Sequence, residues 1–74
     1  MKVLLIDDHP LILQALQTVI QGLGSDTTVV GAGSARAARE TLRADPDFDL
    51  VLLDLQLGDA DGFDVLAEFR RAYP

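Results

Sequence analysis

The chain has 74 residues, contains no cysteine, and carries a formal charge of −6 from 12 acidic and 6 basic side chains. The lack of cysteine excludes a disulfide framework and a thiolate metal site, and the acidic balance argues against direct contact with nucleic acid, which requires a basic surface. No apolar run approaches the length of a signal peptide or a membrane span, so we expect one small cytoplasmic domain that does not contact a membrane.

The apolar pattern predicts three strands that alternate with three helices. Short runs rich in Val, Ile and Leu predict the strands, and apolar residues at helical spacing predict the helices. In chain order the predicted elements are a strand over 2–7, a helix over 10–22, a strand over 27–32, a helix over 35–44, a strand over 49–54 and a helix over 62–73. This alternation predicts an α/β fold with a parallel sheet.

Start signals and apolar spacing predict how the helices begin and which side chains face the sheet. Pro10 opens the first helix, Ser34 caps the second, and Asp61-Gly62 turns the chain into the third. The side chains predicted to face inward are Leu11, Ala15, Leu16, Val19, Ile20 and Leu23 in the first helix and Val65, Leu66 and Phe69 in the third.

Three aspartates directly follow apolar strands. Asp7 and Asp8 come after Val3-Leu4-Leu5-Ile6, and Asp54 comes after Leu50-Val51-Leu52-Leu53. The carboxyl ends of parallel strands meet at one edge of a sheet, so we expect the three carboxylates to lie together. Holding them beside an apolar core is costly, which indicates a shared charge, most simply a divalent cation.

These segments resemble a known family. Val3-Leu4-Leu5-Ile6-Asp7-Asp8-His9-Pro10, followed by residues 50–62 with Asp54 and Asp61-Gly62, is similar to the receiver domain of bacterial two-component response regulators. The resemblance spans the whole chain and implies a three-layer, flavodoxin-like parallel sheet. The acid pair followed by His9-Pro10 most resembles the subfamily that carries a C-terminal helix-turn-helix output domain, which implies a role in transcription regulation.

The resemblance implies a phosphoryl relay. Asp54 would accept a phosphoryl group from a sensor histidine kinase, while Asp7, Asp8, Asp54 and the backbone carbonyl of Gln56 would hold Mg²⁺. Phosphoryl transfer depends on positioning and charge neutralisation, and Mg²⁺ prefers carboxylate and phosphate oxygens. The chain is then a phosphoacceptor signalling domain and not an enzyme, apart from residual self-phosphorylation. His9 is expected to be a partly exposed structural residue at the helix entrance.

The chain also departs from the family pattern. Receiver domains have five strand–helix units, with a hydroxyl residue ending the fourth strand and a lysine ending the fifth, but residues 1–74 contain three units. The only lysine is Lys2, and no Ser or Thr follows Thr41. Gly58 stands where the family commonly has proline, so we expect a looser loop. We therefore expect a partial receiver domain with impaired phosphotransfer.

The third predicted strand would be an edge strand in such a domain. Its uncharged apolar run is a template for pairing with another chain, so we expect a homo-oligomer, most simply a dimer. This expectation supports one alternative function, that of a self-associating interaction module without phosphotransfer.

Three other functions compete less well. An aspartyl-nucleophile phosphatase requires a general acid two residues after Asp54, where Gln56 stands. A dinucleotide-binding turn over 31–36 would have Arg36 at its third glycine position. A calcium loop ending at Glu68 would have Leu57 in place of its first acidic ligand.

Overall fold

The computed structural model describes residues 1–24 and 26–73. Its strands and helices alternate in the order β1 (Lys2–Ile6), α1 (Pro10–Gln21), β2 (Thr28–Ala32), α2 (Ala35–Ala44), β3 (Leu50–Leu53) and α3 (Gly62–Ala72). The strands form one parallel sheet in the order β2-β1-β3. The predicted open α/β fold is therefore confirmed. Among the described residues, no helix is long and apolar enough to cross a bilayer.

Five of the six predicted elements are one or two residues longer than those in the structure, and local hydrogen bonds explain two of these differences. The backbone N–H of His9 donates to Oδ1 of Asp7 at 2.9 Å, and the N–H of Gln56 donates to Oδ1 of Asp54 at 3.0 Å. Each aspartate carboxylate thus accepts a hydrogen bond from the backbone N–H two residues later, and this bond stabilises a turn. As a result, β1 and β3 end just before Asp7 and Asp54 instead of including them.

Strand β1 lies at the centre of the sheet and is buried on both faces. Leu4 and Ile6 belong to the larger core cluster, on the face covered by α2 and α3, whereas Val3 and Leu5 belong to a smaller cluster beneath α1. Successive strand residues point to opposite faces, so this one apolar run supplies both core layers.

Helix α1 covers the sheet only in part, and the prediction of which of its side chains face inward is mostly wrong. None of its twelve residues, all of which are described, is buried. Leu13 and Ile20 pack on the smaller cluster, and the side chain of Gln17 lies over Gly31. The predicted inward residues other than Ile20 are exposed, namely Leu11, Ala15, Leu16, Val19 and Leu23.

The sheet topology explains this error. Helix α1 packs mainly against β2 and β1. Strand β3 is an edge strand of the described sheet, with its outer side unpaired. One side of the apolar stripe of α1, which includes Leu16, therefore borders an open cleft toward β3 instead of packing on the sheet.

Helix α3 begins as predicted. Asp61 is its N-cap, and Oδ1 of Asp61 accepts hydrogen bonds from the N–H groups of Phe63 and Asp64. Gly62 is required for close approach, because a Cβ at this position would overlap the backbone of Leu55. Its φ angle is not positive, so left-handed backbone freedom is not the reason for glycine.

The inward face of α3 is predicted correctly at two positions of three. Val65 and Phe69 are buried, but Leu66 is 41% exposed and borders an apolar groove beside β3. The loop before α3 also buries Leu57 in the larger core cluster.

Candidate functional site

Parallel pairing of β1 with β3 brings two of the predicted site residues together. Ile6 pairs with Leu53, and the backbone N–H of Asp54 donates to the carbonyl oxygen of Ile6 at 2.9 Å. The N–H of Asp7 donates to the carbonyl oxygen of Ala32 in the neighbouring strand at 3.1 Å. Asp7 and Asp54 therefore leave the sheet side by side at its carboxyl edge.

Four side chains converge at this edge. Asp7, Asp8, His9 and Asp54 each offer one ligand-type atom, and these atoms lie within 4.8 Å of one another. The imidazole Nδ1 of His9 is 2.8 Å from an oxygen of Asp7, 3.0 Å from one of Asp8 and 3.6 Å from one of Asp54. We refer to these four residues as the acid–histidine cluster.

His9 is the member of the cluster whose position the sequence did not predict. Its side chain is 57% exposed, in agreement with the expected partial exposure. It occupies the N-cap position of α1, but its side chain makes no capping hydrogen bond and turns toward the aspartates instead. The only sequence signal is that His9 directly follows the acid pair.

The electrostatics of the cluster reflect this contact. Burial raises the pKa of Asp7, but hydrogen bonds from the backbone and ring of His9 outweigh it and hold the pKa below its usual range. The hydrogen bond to Asp7 raises the pKa of His9, and the charge of Asp8 raises it further. The pKa of each partner is thus shifted in the direction that favours an ion pair between His9 and Asp7.

One oxygen of the cluster remains without a hydrogen bond. Oδ1 of Asp8 is screened from solvent and accepts no hydrogen bond of acceptable geometry from the described residues, although Nδ1 of His9 lies 3.0 Å away. The ring has one proton on Nδ1, and a proton that is donated to Asp7 does not also form a hydrogen bond with Asp8. A buried carboxylate oxygen without a donor is costly, and a cation would stabilise it. Together with the other carboxylates, this oxygen provides a donor set that fits Mg²⁺.

The cluster opens into a cleft with room for more than an ion. Asp7, His9, Asp54 and Gln56 line one part of this cleft, and Ile12 and Leu16 of α1 line another. Its volume is about 470 Å³, which far exceeds the roughly 30 Å³ share of a water molecule in the liquid. A hydrated ion and a phosphoryl group would both fit. The Gln56 carbonyl as a metal ligand stays a prediction.

Two further charged side chains lie outside the cluster. Lys2 forms an ion pair with Asp45, and its Nζ is 4.7 Å from the ring centroid of Phe48, at the opposite end of β1. The carboxylate of Asp59 accepts the backbone N–H groups of Ala35 and Arg36 at the start of α2, a contact that sequence patterns did not predict.

These geometric findings agree with comparisons with known proteins. The family model "Response regulator receiver domain" matches residues 3–74, and the chain belongs to this family. It is 43% identical over 70 residues to the DNA-binding response regulator MtrA of Mycolicibacterium smegmatis, a match that covers 93% of this chain and 29% of that protein. It is 36% identical over 74 residues to the aerobic respiration control sensor protein ArcB of Escherichia coli, covering 100% of this chain and 9% of ArcB.

Solved structures show the same fold. A response regulator receiver domain protein from Clostridium thermocellum superimposes with a TM-score of 0.88 at 26% identity, and the match covers 99% of this chain and 57% of that one. A receiver domain of a Francisella response regulator gives a TM-score of 0.82 at 25% identity, covering 96% of this chain and 56% of that one. The chain thus spans a little over half of these solved chains and less than a third of the MtrA and ArcB sequences.

Proposed function

We propose that this chain acts as the phosphoacceptor segment of a two-component response regulator and that Asp54 is the residue phosphorylated. The observation that carries the proposal is the convergence of Asp7, Asp8 and Asp54 at the carboxyl edge of a receiver-family sheet. The donor would be the phosphohistidine of a sensor histidine kinase in the cytoplasm. Mg²⁺, held by the three carboxylates and the carbonyl of Gln56, would neutralise charge on the phosphoryl oxygens.

In the proposed reaction a carboxylate oxygen of Asp54 attacks the phosphorus atom. A new O–P bond forms, the P–N bond to the donor imidazole breaks, and the bonding electrons leave with the imidazole nitrogen. The hydrogen bond from the N–H of Gln56 to Oδ1 holds the Asp54 carboxylate in place. Asp7, 8% exposed and hydrogen-bonded to His9, supplies a fixed negative charge beside it.

We further infer that residues 1–74 hold the phosphoryl group poorly by themselves. The family's lysine and hydroxyl residue would neutralise and orient the phosphoryl oxygens, but Lys2 lies at the other end of β1 and no Ser or Thr follows Thr41. Control of transcription, suggested by relatives such as MtrA, would require residues beyond this segment, which has a net charge of −6.

Intact mass spectrometry after incubation with Mg²⁺ and acetyl phosphate tests the proposal. We expect a mass increase of one phosphoryl group that is lost in Asp54→Asn and on addition of EDTA. Asp26→Asn is a matched control, because Asp26 lies at the opposite edge of the sheet, near the N-terminus. A folded wild-type chain that gains no phosphoryl group, or a label that survives Asp54→Asn, would contradict the proposal.

A second candidate function is self-association of the 74-residue chain through β3. In the described sheet β3 pairs with β1 alone, and Leu50, Val51 and Leu52 are 37–42% exposed. The occupant we propose is a second copy. The strand carries no charge, so two copies would meet there without like-charge repulsion, and a twofold axis would pair the two edges antiparallel.

Light scattering after size-exclusion chromatography distinguishes this candidate. We expect a dimer at micromolar concentration that Val51→Lys converts to a monomer. Val19→Lys is the control, since Val19 is 62% exposed on α1, away from β3. A wild-type chain that is monomeric and folded at every concentration tested would exclude self-association as its function.

A further inference from the structure

We propose that His9 is a metal ligand through Nδ1 and that it makes the acid–histidine cluster a site for divalent transition-metal ions of the Co²⁺ to Zn²⁺ class as well as for Mg²⁺. The inference rests on the proposed metal-binding function of the three aspartates. It adds a nitrogen donor contributed by this chain's own His9.

The first argument is geometric. Nδ1 lies 2.8, 3.0 and 3.6 Å from one oxygen each of Asp7, Asp8 and Asp54. Ligand atoms bound about 2.0–2.2 Å from a common ion are separated by roughly 3 Å when they are neighbours in its coordination shell. Nδ1 therefore lies at about the spacing from these oxygens that is expected of ligands sharing one ion, and all four atoms lie within 4.8 Å of one another.

The second argument concerns the backbone and side chain of His9. Its N–H donates to Oδ1 of Asp7 at 2.9 Å, which fixes the residue against the acid pair. N-cap residues commonly direct their side chains at the helix N–H groups, but the ring of His9 does not, and its ring nitrogen contacts carboxylates instead. The ring is thus held at the cluster without a helix-capping contact, and ligation would replace only the contact between Nδ1 and Asp7 with bonds from both groups to the ion.

The third argument is the oxygen of Asp8 that has no donor. Oδ1 of Asp8 is screened from solvent, directed at the cluster and without a hydrogen bond from the described residues. If Nδ1 gives its lone pair to a metal ion, the ring carries its proton on Nε2, and the same ion satisfies this oxygen. The half-exposed ring leaves Nε2 able to donate to water.

The chemical type of the ligand atoms determines for which metal ions His9 increases the affinity of the site. Mg²⁺ takes oxygen ligands, so an imidazole adds little to its affinity. Borderline ions accept imidazole readily, and their affinities for nitrogen and oxygen sites rise from Mn²⁺ toward Cu²⁺. One histidine among three carboxylates therefore favours Co²⁺, Ni²⁺ and Zn²⁺ over Mg²⁺ more strongly than the carboxylates do alone.

The test compares Co²⁺ and Mg²⁺ binding to the 74-residue chain and to His9→Asn by isothermal titration calorimetry. Loss of a second-shell partner costs roughly tenfold to hundredfold in metal affinity, so loss of a direct ligand should weaken Co²⁺ binding at least tenfold. Mg²⁺ affinity should change less than about threefold. Asparagine retains the backbone N–H and is a good N-cap residue, so far-UV circular dichroism should show the variant folded.

A measurement on the wild-type chain does not depend on any variant. His9 is the only histidine in the sequence, so its ring protons are uniquely assigned by nuclear magnetic resonance. Direct ligation predicts large Co²⁺-induced shifts of these protons, and Asp54→Asn should weaken the Co²⁺ affinity that produces them. Equal loss of Co²⁺ and Mg²⁺ affinity in His9→Asn, or unshifted ring protons at Co²⁺ saturation, would overturn the inference.

The outcomes also separate this inference from the proposed function. Mg²⁺-dependent labelling of Asp54, with Co²⁺ affinity unchanged in His9→Asn, would refute the histidine ligand alone. A folded chain that binds neither ion and gains no phosphoryl group would refute both.

Discussion

The guanidinium of Arg39 makes three hydrogen bonds of 2.9–3.2 Å to the carboxylate of Glu68, and this pair joins α2 to α3. The hydrogen bonds from Arg39 hold the pKa of Glu68 below its usual range. The two helices cover the same face of the sheet, so the pair bridges them above the larger core cluster.

We expect this ion pair to stabilise the fold only modestly. The two side chains are 37% and 41% exposed, and exposed pairs contribute about 0.2–1 kcal/mol because water screens their charges. Urea denaturation of Arg39→Met, Glu68→Gln and the double variant should give a coupling energy in that range that decreases with added salt. A coupling energy of zero would contradict this expectation.

Gly62 should be far less tolerant of a methyl group than Gly33. A Cβ at Gly62 would overlap the backbone of Leu55, whereas a Cβ at Gly33 would have nothing within 4 Å. Overpacking typically costs about 1–3 kcal/mol and occasionally more, so we expect Gly62→Ala to lose about 3 kcal/mol of unfolding free energy. Gly33→Ala should be neutral or stabilising by up to about 1 kcal/mol. Equal effects in thermal denaturation would show that the close approach to Leu55 is unimportant.

Asp59 should make stability depend on pH at the acid end of the range. The N–H groups of Ala35 and Arg36 hold its pKa below the usual value of 3.8. A carboxyl group whose pKa is lower in the folded state stabilises the fold above the unfolded-state pKa, and this contribution disappears as the pH falls through the folded-state pKa. We therefore expect the stability difference between wild type and Asp59→Asn to be largest above the usual pKa of 3.8 and to shrink as the pH falls below it.

Ser34→Ala is the control for Asp59. Oγ of Ser34 accepts the N–H of Ala37 at 3.0 Å and also caps α2, but it does not titrate. Its loss should cost about 1 kcal/mol, with little dependence on pH. If the two variants follow the same pH profile in chemical denaturation, the assigned effect of Asp59 is wrong.

Truncation to alanine should destabilise the fold strongly at Leu4 and hardly at all at Leu11. Leu4 is fully buried in the larger core cluster, and Leu11 is 81% exposed on α1. Leu4→Ala should therefore cost about 2–5 kcal/mol, a large part of the roughly 4–11 kcal/mol expected for a domain of this size. Leu11→Ala should change stability by less than about 0.5 kcal/mol. A comparable loss at Leu11 would show that α1 is covered in solution by a contact other than the proposed dimer through β3.

The prediction from sequence was most successful for features that depend only on residues close together in the chain. The run Val3–Ile6 has no polar residue, which is the pattern of a strand buried on both faces. The cap at Ser34 and the turn at Asp61-Gly62 depend on contacts two or three residues away. Prediction was less successful for α1, because part of its apolar stripe borders an open cleft beside β3 instead of packing on the sheet.

The sequence by itself determined the alternation of strands and helices and the aspartates that follow β1 and β3, because both depend on the local spacing of apolar and polar residues. Only the tertiary structure decided which part of the α1 stripe stays exposed, that Asp59 caps α2, and that the ring of His9 lies among three carboxylates. These features depend on how distant segments meet in space: Asp59 contacts Ala35 from 24 residues away, and His9 faces Asp54 only because β1 pairs with β3.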